Sequence, residues 1–252
     1  STHRMLTSLA VRCIFIIATQ RTFDVVSLKV QSNIKRFIAP VLVVQMFVAL
    51  AIAQANFSLM RDLALSRYGQ STAEFVDEWH AEIETMKSLP DGEKLEYANN
   101  FFNSRIRWSQ DSDTWQENDY WATPLELMGR GMGDCEDFAI AKYATLVLAD
   151  VDITKLRITY VKARAKLNKN IKSRAHMVLA YYPSATEEPV ILDNLVPEIR
   201  PASARSDLIP VYGFNSQGIW VGGATTPATT QPGTKLSRWR NLLRRAAAEG
   251  LQ

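Results

Sequence analysis

The spacing of apolar positions changes character once along the chain. Before Asp150 apolar residues recur at helical intervals, and after it they gather in short β-branched and aromatic runs. Residues 71–89 set Phe75, Trp79, Ile83 and Met86 on one helical stripe, with Ser71 and Glu74 spaced as a capping box and Pro90-Asp91-Gly92 as a stop. Residues 93–108 repeat the pattern with Leu95, Phe101, Phe102, Ile106 and Trp108. His80 falls off the first stripe and reads as a surface residue. The pattern lapses over 109–120, where Asp111, Asp113, Glu117 and Asp119 predict a loop. Thr123-Pro124 opens a short helix, a cap followed by proline at the first position, and Gly129, Gly131 and Gly133 interrupt it. Residues 135–148 are apolar nearly all round, which predicts a buried helix. Runs at 156–161, 176–182, 190–195, 211–214 and 219–221 read as strands between polar turns. Helices first and successive strands second is an α+β order with an antiparallel sheet.

The two ends differ from this centre. Residues 37–53 carry no charge, follow Lys35-Arg36, and end in Ala53-Gln54-Ala55, a small-x-small triplet. Basic region, apolar stretch and small-residue site are the parts of a secretory signal. A retained membrane anchor is the alternative, although an anchor needs about 20 apolar residues and this run is interrupted by Pro40 and Gln45. We therefore read residues 1–55 as a leader and 56–224 as the folded domain. Residues 225–234 are a low-complexity linker. Beyond it Leu236, Trp239, Leu242, Leu243 and Ala246 share one helical stripe beside Lys235, Arg238, Arg240, Arg244 and Arg245. Such a basic amphipathic tail docks on its own domain, stays loose, or meets a membrane surface or a partner.

Charge narrows the function classes. The chain has 29 basic and 26 acidic residues, a net charge of +3. Residues 1–55 hold six basic residues and one acidic one, which leaves 23 basic and 25 acidic for residues 56–252. The folded part is slightly acidic, so a nucleic-acid partner is not expected. Cys13 and His3 fall in the leader, and downstream of it stand one cysteine, Cys135, and two histidines, His80 and His176. An unpaired cysteine in an exported chain marks a reactive thiol.

Cys135 opens the buried helix. A helix N-terminus carries roughly half a positive charge and unpaired N–H groups, which favour a thiolate and can hold a developing oxyanion. His176 opens one alternating strand, and Asp193 ends the next, ILDNL, where an unpaired carboxylate would be costly. Same-face residues on adjacent antiparallel strands lie about 5 Å apart, so Asp193 can orient one imidazole nitrogen while the other faces Cys135. That is the nucleophile, base and orienter arrangement of a catalytic triad. The glycines before Cys135 lack the spacing of a phosphate loop. Asp134, Glu136 and Asp137 surround the thiol with negative charge. They fit hard-oxygen ligands for Ca²⁺ or, equally, carboxylates stabilising the helix dipole.

The blocks GDCEDFAIAKYATL, RAHMVLAYY, PVILDNL and GFNSQGIWVGG, in this order, resemble the bacterial transglutaminase-like cysteine proteinases over about residues 60–222. The resemblance implies a papain/transglutaminase-like core, with the nucleophile helix packed on an antiparallel sheet bearing the histidine and aspartate. It implies Cys135 as nucleophile, His176 as base and Asp193 as orienter. It implies calcium dependence, with Asp134 and Glu136 at ligand positions and Asp137 beside them. It further implies a periplasmic endopeptidase that cuts the N-terminal region of a large surface adhesin after paired alanines and so releases biofilm cells. The implied regulator is the periplasmic domain of an inner-membrane cyclic di-GMP receptor. A transglutaminase or deamidase on the same triad, and a non-catalytic calcium-binding adaptor, are the alternatives.

Overall fold

The computed structural model describes residues 55–167, 170–232 and 236–251. The signal-like run at 37–53 and Cys13 lie outside the described residues. Asn56 caps the first helix, α1 (Phe57–Tyr68), with its Oδ1 accepting from the Leu59 N–H at 3.0 Å. This helix buries Met60 and Ala64, with Phe57, Leu63 and Tyr68 packed beside them, and it precedes the first helix that the sequence pattern assigned. Gly69 ends it at φ +97°, and α2 (Gln70–Met86) starts at once. Ser71 therefore sits inside a helix, and the capping box expected there does not form. The apolar stripe holds, with Val76, Trp79, Ile83 and Met86 buried. His80 is half exposed and stacks on Phe57 at 4.0 Å.

Helix α3 (Asp91–Arg105) stops before Ile106, which is already extended. Trp108, expected on this helix, instead lies in a two-residue strand, β1 (Arg107–Trp108), and is about half exposed. β1 pairs in parallel with β2 (Met132–Gly133), which immediately precedes the helix that opens at Cys135. The expected loop at 109–120 contains a helical turn, α4 (Asp111–Thr114). Helix α5 (Pro124–Arg130) has the expected start: Thr123 caps it, Glu126 completes the box, and Gly131 closes it in the left-handed conformation. Helix α6 spans Cys135–Leu148.

The strands are longer than the apolar runs. β3 (Leu156–Leu167) and β4 (Asn170–Tyr181) form a twelve-residue antiparallel hairpin, from Leu156↔Tyr181 to Leu167↔Asn170. Its far half is basic and lies beyond the apolar signal, so His176 stands within a strand rather than at its start. β5 (Val190–Leu192), β6 (Arg200–Pro201), β7 (Leu208–Phe214) and β8 (Ile219–Val221) complete an antiparallel sheet of order β6-β5-β4-β3-β7-β8. One face packs on α6, with Ile158, Met177, Leu179, Leu192 and Phe214 against Ala139, Ile140, Tyr143 and Leu146. A second core joins α1, α2, α3 and α5, and Trp79 Nε1 ties it to α6 by donating to Thr145 Oγ1 at 2.8 Å.

Helix α7 (Ser237–Ala248) packs into the sheet core through Trp239 and Leu242. Trp239 meets Phe214 edge-on at 5.3 Å and Tyr143 at 5.7 Å. Its C-terminal end reaches α1: Asn56 N–H donates to Gly250 O at 2.7 Å, and buried Glu249 accepts from Arg67 at 2.8 Å. These elements lie in one unit, Gln54–Gln252.

Candidate active site

Local chemistry sets where Cys135 points. Asp134 caps α6, and Asp137 folds back under the cap. Its Oδ2 accepts from the Asp134 N–H at 3.3 Å and its Oδ1 from the Ala122 N–H at 2.7 Å. Only glycine fits at 133, where a Cβ would meet Asp137 Oδ2 at 2.5 Å and Leu127 Cδ1 at 2.6 Å. Cys135 is thereby presented at the first turn of α6, against β4.

A cleft of about 300 Å³ opens there. Asp134, Cys135 and Glu136 form one wall and Ala175, His176 and Met177 of β4 the facing one, with Tyr160, Tyr212 and Trp121 between them. Tyr160 and Tyr212 stack at 5.4 Å. Arg238 of α7 also lines the cleft and pairs with Asp119 at 2.9 Å.

His176 and Asp193 are both buried and meet at 2.8 Å, Nε2 to Oδ1. That bond occupies Nε2, and among the described residues no hydrogen bond joins His176 to Cys135, which shares only the lining of the cleft with it. Asp193 Oδ1 also accepts from the Leu195 N–H at 3.0 Å, and Oδ2 from Arg205 at 2.8 Å. Burial alone would raise this carboxyl, but His176, the Leu195 N–H and Arg205 outweigh it and hold it at about 2. Arg205 in turn pairs with Asp207 at 2.9 Å. No pattern in the sequence marks Arg205, which follows the 3₁₀ turn Ala202–Ala204 and lies 12 positions after Asp193.

Behind Asp193 lies a buried polar chain. Lys142 of α6 donates to Asn99 Oδ1 at 2.8 Å, Asn99 to Pro197 O at 2.6 Å, and Asn103 to Asp193 O at 2.9 Å. Burial lowers the Lys142 ammonium to about 7, with the Asp193 charge opposing. The sequence places Lys142 in an apolar helix, and nothing in its local pattern marks its bond to Asn99.

The thiol donates to Glu136 Oε2 at 3.0 Å. Burial, then the charges of Glu136 and Asp134, raise its pKa far above the ordinary value, with the Met177 N–H acting against them. The neighbouring carboxylates are perturbed in the same direction. Burial and nearby acids push Asp111 up to about 6 and Asp134 up to about 10, and burial raises Asp137. Ligand atoms of Asp111, Asp134 and Asp137 lie within 4.8 Å of one another, and so do those of Asp111, Asp119 and Glu136. Asp111 Oδ1 and Asp134 Oδ1 are buried without a hydrogen-bond partner. Crowded carboxylates with two orphaned oxygens fit a hard divalent cation. Asp111 and Asp119 extend the acidic set expected from sequence. The sequence places both in a loop, because α4, which buries Asp111, has no apolar periodicity to announce it.

Relatives share this architecture. The family described as bacterial transglutaminase-like cysteine proteinase BTLCP matches residues 67–214. LapG of Legionella pneumophila is 39% identical, with a TM-score of 0.64 over 77% of this chain and 99% of that one. An EGTA-treated form of the Legionella protein is 40% identical at a TM-score of 0.65, covering 77% of this chain and 99% of that one. A calcium-bound form is 40% identical at 0.63, covering 75% and 98%. No curated protein matches the chain. The helices packed on an antiparallel sheet are the LapG/transglutaminase-like fold. On the match across more than half of its length, the chain belongs to the bacterial transglutaminase-like cysteine proteinase family.

Proposed function

We propose that this chain is a calcium-dependent cysteine endopeptidase of the periplasm, with Cys135 as nucleophile, His176 as base and Asp193 as orienter. One observation carries the reading: Cys135 and His176 line the same cleft while His176 is held by a buried aspartate at 2.8 Å. Asp193 binds Nε2 and sets the tautomer, so Nδ1 takes the thiol proton as sulfur attacks the scissile carbonyl. Unpaired N–H groups at the start of α6 face the developing oxyanion. The protonated imidazole then gives its proton to the leaving amine, and water activated by His176 clears the acyl-enzyme.

Asp111, Asp134 and Asp137, and beside them Asp111, Asp119 and Glu136, are the residues that would hold calcium, with Asp137 also bracing the helix cap through the Asp134 N–H. The ion supplies positive charge that offsets the carboxylates crowding the thiol. The calcium-bound and EGTA-treated forms of the Legionella relative support this reading. The substrate is the N-terminal region of a large surface adhesin, cut after paired alanines to release biofilm cells. The periplasmic domain of an inner-membrane cyclic di-GMP receptor sequesters the protease.

The test is incubation with candidate surface proteins in calcium, reading new N-termini by mass spectrometry. We expect one cut after two alanines, lost in Cys135→Ala and in excess EGTA. Cleavage by Cys135→Ala at the parental rate would remove the thiol mechanism, and cleavage indifferent to EGTA would remove the calcium.

A further inference from the structure

The face of the sheet turned away from α6 carries a larger cavity, of about 470 Å³, that shares no lining residue with the cleft. Small-molecule sites measure roughly 300–1,000 Å³. Val161, Val178, Ala180 and Ile191 form an apolar floor. Two arginines line the same space and are nearly solvent-free, Arg157 at 3% and Arg205 at 4% exposure.

Their charges are balanced differently. Arg205 is spent on Asp193 and Asp207, two carboxylates for one guanidinium. Arg157 forms no ion pair with any described residue. It donates from Nη1 to Ala224 O at 2.9 Å and lies between the rings of Tyr182 and Trp220, at 4.0 and 4.3 Å. The rings fix the guanidinium plane and leave Nε buried without an acceptor. Arg205 Nη1 is orphaned in the same way. The acidic residues of the lining, Glu187 and Glu188, are exposed, and Glu188 accepts from the Ser203 N–H. The carbonyl and the two rings offset part of the cost of burying this guanidinium, but it has no carboxylate partner and its Nε stays unpaired, so an anion would complete it. One unbalanced positive charge above an apolar floor suits a monoanion with an apolar body, and a guanidinium matches a carboxylate.

We propose that this cavity is a binding site for a small aliphatic carboxylate, its charge paired with Arg157 and its chain lying on Val161, Val178, Ala180 and Ile191. The site stands apart from the proteolytic reading, and its test needs no proteolysis. Because Arg205 also holds Asp193, the variants spare it.

Titration calorimetry of the full chain with octanoate and with neutral octanamide decides the matter. Octanoate binds saturably with one site, and octanamide binds at least tenfold more weakly. Arg157→Met weakens octanoate at least tenfold, and Arg157→Lys, which keeps the charge but loses the planar fork and the ring stacking, weakens it to an intermediate degree. Ala180→Leu retains both arginines, fills the floor, and also weakens octanoate, which keeps the test decisive if Arg157→Met fails to fold. Absence of saturable octanoate binding, equal binding of the amide, or parental affinity in folded Ala180→Leu and Arg157→Met would each overturn the site.

Discussion

At the scale of single residues, small steric and electrostatic choices place the thiol and its neighbours. Gly133 leaves room for Asp137 to return to the helix cap, since a Cβ would sit 2.5 Å from its carboxylate. Gly133→Ala should therefore cost about 1–3 kcal/mol through overpacking, measured by urea unfolding. Gly92→Ala, in a helix with open space around it, should leave stability unchanged or slightly raised. Equal effects of the two would discount the Gly133 contact. Asp193 predicts the acid behaviour. Its carboxyl is depressed from its ordinary 3.8 to about 2, so the folded state binds the proton less readily than the unfolded chain. The stabilisation is complete above about pH 4 and drains away as pH falls toward 2, for a loss of about 2 kcal/mol. Urea midpoints across that window should fall less steeply in Asp193→Asn than in the parent. An identical slope would mean the depressed carboxyl lies elsewhere.

At the scale of elements, amphipathic spacing was the reliable guide wherever one face meets a core. The stripes of α2 and α3 and the all-round apolarity of α6 were legible because burial enforces the period. The turn α4 escaped because its four residues, DSDT, have no apolar face and are held by neighbours, whereas α1 buries Met60 and Ala64 just ahead of the first stripe assigned. The β3–β4 hairpin was cut short for a related reason. Its outer half pairs backbone to backbone while its side chains are basic, so hydrophobicity marks only the inner half. The stripe of α7 was visible, but not its docking site. Trp239 is 1% exposed among Tyr143 and Phe214, so Trp239→Ala should cost about 3–5 kcal/mol. Thermal unfolding checks this, and a change within about 0.5 kcal/mol, the range of surface substitutions, would mean the helix is not docked in solution.

At the scale of the whole molecule, the thiol, the imidazole and the acidic cluster come from segments that meet only because α6 packs on β4 and α4 turns back toward it. Asp111 is the member that folding adds to the acidic set. Asp111→Asn should weaken calcium binding by about tenfold or more, since carboxylate charge tunes affinity at such sites. Calorimetric titration after chelator treatment measures it, and an unchanged affinity would place the ion elsewhere.

The sequence by itself determined the α+β order, the buried helix opening at Cys135, and the Cys, His and Asp blocks that mark the family. Those features are local: periodicity, caps and residue types at short spacing carry them. Tertiary structure alone decided that Arg205 joins His176 on Asp193, that Asp111 turns toward Asp134, and that Arg157 is buried without a counter-charge. Each depends on which face of a strand meets which distant turn, and such pairings arise from packing between segments that share no local pattern.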